Sequence, residues 1–187
     1  MNKPAGFVCS TAEEDGESVC KLLPEEIRNR VSSVGRLDKD TTGLLIFTDD
    51  GEWAHKVLAP KSHVEKTYEV VCEKEITDED ILKLEEGISL GDGETALPAK
   101  VERINISSSS QGRLVENDVC KITAGKGIRL TISEGKYHQI KRMMRSTANK
   151  VTGLHRISFG EISLEKLHLQ VGEGVYLTDR DFSDATK

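Results

Sequence analysis

Several things are missing from this sequence, and each absence closes off a class of protein. No apolar run approaches the 18 or so residues that a membrane-spanning helix needs. The opening residues, MNKPAGFVCSTAEEDG, have no long apolar core and turn acidic early, so they do not read as a secretory signal. Cys9, Cys20, Cys72 and Cys120 form no C-x-x-C pair. Without paired ligands or a secreted context they read as reduced, mostly buried thiols of a cytoplasmic protein, neither zinc ligands nor disulfides. The last absence is local. Between Gly135 and Ser158 there is no Asp or Glu, while Lys136, Lys141, Arg142, Arg145, Lys150, Arg156, His138 and His155 all fall there.

What is present describes a folded chain. Of its 187 residues 36% are hydrophobic and 31% charged, the balance of a soluble globular protein. That length suits one large domain or two fused lobes, with roughly 70% of the unfolded chain's surface buried. The net charge of −6 argues against a polyanionic partner, but acid is concentrated in residues 73–94, which leaves the acid-free stretch as a locally positive face.

Periodicity predicts strands at residues 6–10, 43–48, 65–73, 100–106, 119–123, 128–133 and 152–159. Helices are expected at 17–23, ended by Pro24; from Asp49 or Asp50 through Val57; from Thr77, with Asp80 in a capping-box position, to residue 86 before Gly87; and at 137–148. Ile81, Leu82 and Leu84 are expected to supply the apolar contacts of the third helix. Residues 107–117 are serine-rich and read as a loop, and residues 172–184 as a short strand with a turn of helix. Strands outnumber helices without regular βαβ alternation. The expected class is α+β, with a mixed, mostly antiparallel central sheet flanked by helices.

Three segments carry candidate chemistry. In GRLDKDTTG, Asp38 follows apolar Leu37 and precedes a turn, where a carboxylate can face a ligand; local physics equally allows Asp40 and Thr41 simply to turn the chain. In SEGKYHQIKRMMRSTANK, His138, Lys141, Arg142 and Arg145 recur at spacings of three and four, so they share one side of a helix. Ile140, Met143 and Met144 face the other way as core. Such a helix is most often ordinary surface, but the lack of acid favours phosphate binding. In HVEKTYEV, Tyr68 lies on a strand, where a tyrosine is usually packing.

Together the segments resemble the pseudouridine synthases of ribosomal RNA, and in particular the branch that contains the small-subunit synthase. The resemblance lies in NKPAGFVCST (residues 2–11), GRLDKDTTGLLIFTDDGEWAHKVLAP (35–60), HVEKTYEV (63–70), ISEGKYHQIKRMM (132–144) and LHRISFGEISL (154–164). It implies the pseudouridine synthase fold, Asp38 as the catalytic carboxylate, Tyr68 as the active-site tyrosine and Lys141 as the basic partner of that aspartate. Arg36 resembles the arginine that holds the target nucleotide out of its helix, and Leu37 and Ile140 the apolar wall near the base. His138, Arg142 and Arg145 are expected to meet RNA.

The resemblance further implies ribosomal RNA or a ribosomal particle as partner, no cofactor or metal, no membrane, and a monomer. Members of this branch often begin with a small RNA-binding S4 domain, which this chain is expected to lack. KYHQIKRMM and LHRISFGEISL favour small-subunit over large-subunit RNA. The alternatives are a large-subunit synthase, a non-catalytic RNA-binding or ribosome-assembly module of the same fold, and a metal-dependent enzyme built on Asp38 and Asp40 with Asp49 and Asp50.

Overall fold

The computed structural model describes residues 1–10, 16–104 and 126–178. These fall into two compact units, one of residues 1–64 with 156 onward, the other of residues 65–155.

The first unit opens with strand β1 (Asn2–Lys3), a 3₁₀ turn (Val19–Leu22) and the short helix α1 (Glu25–Arg28). Strands β2 (Ser32–Ser33), β3 (Thr42–Leu44) and β4 (Phe47–Thr48) follow, then helix α2 (Gly51–Leu58). Residues 6–10 do not form the expected strand. Gly6 turns the chain at φ 93, and beyond it only Val8 pairs, in a parallel bridge to Ser18. The expected helix at 17–23 is a single 3₁₀ turn, and Pro24 is both its stop and the N-cap of α1. The apolar run at 43–48 is likewise split, because its halves pair with different partners: β3 with β1, and β4 with β2. Asp50 caps α2 by accepting the Trp53 amide at 2.9 Å, an arrangement worth about 1 kcal/mol.

The second unit holds β5 (Lys66–Cys72), α3 (Asp78–Glu86), β6 (Ser89–Gly91), β7 (Glu94–Thr95), β8 (Lys100–Arg103), β9 (Gly127–Ile132) and α4 (Gln139–Ser146). Its strand order is β10–β5–β9–β8, with β10 spanning Val151–Phe159. The β5–β9 and β8–β9 ladders are antiparallel, and β6 and β7 form a separate antiparallel hairpin. Thr77 and Asp80 form the capping box of α3, which ends at Gly87. Leu84 faces the core but Leu82 is exposed, since only part of this short acidic helix is covered. The expected strand at 119–123 and the serine-rich loop lie outside the described residues, as does the end of the one at 100–106.

From Arg156 onward β10 belongs to the first unit, where the strand order is β1–β3–β10. Strand β11 (Ile162–Ser163) and helix α5 (Leu164–Leu167) complete it, around a core of Val34, Leu44, Ile46, Val57, Val64, Phe159 and Ile162. Residues 172–178 contain no strand, and the rest of the expected tail lies outside the described residues. Gly43, at φ 107, passes so close to Arg156 that a Cβ would lie 2.6 Å from the Arg156 amide nitrogen. Only glycine fits there.

Candidate active site

Asp38 lies in the first unit, on the turn that leads into β3, and is half-buried. The Thr41 amide closes this turn by donating to the Asp38 carbonyl at 3.1 Å. Buried Leu37 precedes it, its amide donating to Cys9 Sγ at 3.4 Å, while Arg36 is exposed. Beneath the turn sits Lys3, fully buried. Its ammonium donates to the carbonyl oxygens of Thr41 at 2.8 Å, Pro4 at 3.1 Å and Asp38 at 3.2 Å. Burial holds the Lys3 pKa below the usual lysine value, against the opposing pull of Cys9, Asp40 and Asp38. A second contact, from the Gly6 amide to the Lys39 carbonyl at 2.8 Å, ties the same turn to the chain that follows β1. The carboxylate is thus carried by a backbone held from below, a setting suited to a nucleophile or a base.

The second unit carries the other candidates. Tyr68 is buried on β5, opposite Leu130 of β9. Ile140 is buried on α4 and Lys141, beside it, is half-buried. The helix begins two residues later than expected, because His138 takes the left-handed conformation, φ 48. The turn before it is fixed by Glu134, which accepts from the Leu97 amide and from Gln139 Nε2, both at 2.8 Å, and pairs with Lys136 at 2.8 Å. Burial alone would raise the pKa of this carboxyl, but the donors at Lys136, Leu97 and Gln139 outweigh it and hold the group below the usual range.

The acid-free stretch is less uniformly available than its sequence suggests. His155 and Arg156 are buried, and Arg156 Nε donates to the Leu44 carbonyl at 2.7 Å. Arg142 is bound to the β6–β7 hairpin: Nε donates to the Leu90 carbonyl at 3.1 Å, and Nη2 pairs with Glu94 at 2.6 Å. Lys136 donates to the Thr95 carbonyl at 2.6 Å as well as pairing with Glu134. Arg145, Lys150 and His138 are exposed. Among the described residues no three His, Cys, Asp or Glu side chains gather to hold a metal ion.

Residues 1–146 match the family described as RNA pseudouridylate synthase. The chain is 42% identical over 182 residues to the uncharacterized RNA pseudouridine synthase YtzG of Bacillus subtilis (strain 168), which covers 97% of this chain and 70% of that protein. It is 37% identical over 184 residues to the ribosomal small subunit pseudouridine synthase A of Salmonella typhimurium, covering 98% of this chain and 71% of that one. A crystal structure of a pseudouridylate synthase superposes with a TM-score of 0.81 at 37% identity, covering 99% of this chain and 71% of the other. The archaeal Nop10–Cbf5 complex, at a TM-score of 0.52 and 15% identity over 87% of this chain and 47% of the other, shares the fold.

Proposed function

The chain belongs to the RNA pseudouridylate synthase family, and from that premise we propose that it isomerises a uridine of small-subunit ribosomal RNA, with Asp38 as the catalytic carboxylate. The reaction breaks the bond between uracil N1 and ribose C1′, turns the ring and rejoins it through C5. Atoms balance within the nucleotide, so no co-reactant is consumed. The base must first leave its stack, at a cost of roughly a few kcal/mol. Arg36, Arg145 and His138 would offset that cost through phosphate and stacking contacts, while Leu37 and Ile140 wall the base. Lys141 would serve as the basic partner of Asp38, as the resemblance of its segment implies. Tyr68 moves a proton or stacks on the uracil. The protein would act in the cytoplasm, as a monomer, on free RNA or a ribosomal particle.

The observation that carries this reading is the position of Asp38, in the GRLDKDTTG segment, on a turn held from below by Lys3. The small-subunit assignment draws its support from the 37% identity with the Salmonella typhimurium enzyme over 98% of the chain. The test is to map pseudouridine in ribosomal RNA from cells with and without the protein, and then in RNA treated with purified parent and Asp38→Asn. The expected result is one small-subunit uridine that is lost without the protein and left unmodified by folded Asp38→Asn. Pseudouridine confined to large-subunit or transfer RNA would refute the substrate, and activity retained by Asp38→Asn would refute the role of the aspartate.

A further inference from the structure

Tyr137 is a large ring that the fold leaves outside. It is 71% exposed, whereas the tyrosine of the catalytic proposal is buried. It is not loose, however. Its ring stacks on that of His138, with centroids 3.9 Å apart and planes inclined by 20°. His138 reaches this position through its left-handed backbone, φ 48, which a residue with a side chain adopts uncommonly. The Tyr137 carbonyl accepts from Arg142 Nη1 at 3.3 Å, and the Lys136 amide just before it donates to Gln139 Oε1 at 2.9 Å. Backbone on both sides of the ring is therefore fastened while the ring itself projects.

With one face of the ring turned to His138, its exposed area is available to a second flat partner. A nucleobase is such a partner. Every base has a π-face, and base–aromatic stacking tolerates any sequence. The charge around the ring suits a nucleic acid strand. Lys141 and Arg145 follow at helical spacings from His138, and the carboxylates of Glu134 and Glu94 are paired with Lys136 and Arg142. An apolar protein partner would find a single ring with no adjoining apolar surface on the helix, since Ile140, Met143 and Met144 are buried.

We propose that the Tyr137–His138 pair is a stacking platform for an unpaired base of the RNA substrate. This rests on reading the chain as an enzyme of RNA. The platform supplies affinity and holds the strand, and it takes no part in bond making. Its contribution is insensitive to which base it receives.

The experiment has a binding arm and a turnover arm. Short single-stranded RNAs carrying 2-aminopurine at successive positions are titrated with the parent, Tyr137→Ala, Tyr137→Leu, Tyr137→Phe and Tyr137→Trp. The parent quenches the fluorescence at one position, as stacking requires. Tyr137→Ala abolishes that quench and weakens binding about ten-fold, within the range that alanine substitution of stacked aromatics gives. Tyr137→Phe and Tyr137→Trp keep both, and Tyr137→Leu behaves as Tyr137→Ala. Melting temperature and the salt dependence of binding are unchanged in all four, because the ring is exposed and uncharged. On a small-subunit ribosomal RNA transcript, Tyr137→Ala raises KM with little change in kcat. Absence of quenching by the parent, or equal affinity of parent and Tyr137→Ala, overturns the proposal. So does a Tyr137→Leu variant that binds as tightly as Tyr137→Phe. If the parent modifies no ribosomal RNA, the functional reading fails, and the quenching arm still decides the platform.

Discussion

The Lys3 ammonium is fully buried and bound by three carbonyl oxygens, two of which belong to the Asp38–Thr41 turn. Replacing it by a residue of similar length without a donor strands those acceptors. A buried acceptor that loses its partner costs about 1–3 kcal/mol, and for a chain of this length each kcal/mol lowers Tm by roughly 2–4 °C. Lys3→Met is therefore expected to melt roughly 5 °C lower than the parent by scanning calorimetry. It should also lose more in kcat than in KM, since the turn that carries Asp38 slackens while the surfaces proposed to meet RNA are untouched. A variant with unchanged Tm would show that the three bonds are not holding the turn. The turn that carries Asp38 was legible in the sequence because its GRLDKDTTG block is contiguous. Lys3 was not, although it stands in a segment that carries the resemblance. Its role depends on being buried beneath a turn 35 residues further on, and nothing in NKPAG alone distinguishes a buried lysine from a surface one.

At the scale of elements, α4 shows what helical spacing can and cannot say. The pattern assigned Ile140, Met143 and Met144 to the core, and all three are buried. It also put Arg142 and Arg145 on one side as equivalent cations. They are not equivalent, because β6 and β7 return to the helix and Arg142 binds their hairpin. A spacing rule identifies a helix side but not the partner that a later fold brings to it. Two reversals separate the roles. Arg145→Glu should weaken RNA binding several-fold and reduce its dependence on salt, without lowering Tm. Arg142→Glu should lower Tm, because it sets two carboxylates together and frees the Leu90 carbonyl. Filter binding across a salt series with parallel thermal melts checks both. Equal loss of affinity at constant Tm in the two variants would mean that Arg142 serves RNA directly. The split of the run at 43–48 into β3 and β4 has a similar origin. A continuous apolar stretch looks like one strand, but its halves pair with β1 and with β2.

At the scale of the whole molecule, a net charge of −6 has to be reconciled with an RNA substrate. Much of the positive charge in the acid-free stretch is committed internally, at Lys136, Arg142 and Arg156. The exposed cations there and at Arg36 are few. Each phosphate neutralised contributes about 0.7–0.9 to the slope of log K against log salt. If Arg36, Arg145 and Lys150 each meet a phosphate, the slope is about −2 to −3, shallower than that of proteins that cover a nucleic acid with basic residues. Binding should then fall by about one to two orders of magnitude between 50 and 200 mM salt, leaving a salt-resistant part from stacking and from the flipped base. Affinity measured over that range on a small-subunit ribosomal RNA fragment gives the slope directly. A value much steeper than −4 would require cations beyond these three and would refute the count. With a slope near −2, acid elsewhere on the chain does not prevent binding, because exposed charges more than about 8–10 Å from a phosphate are largely screened at physiological salt.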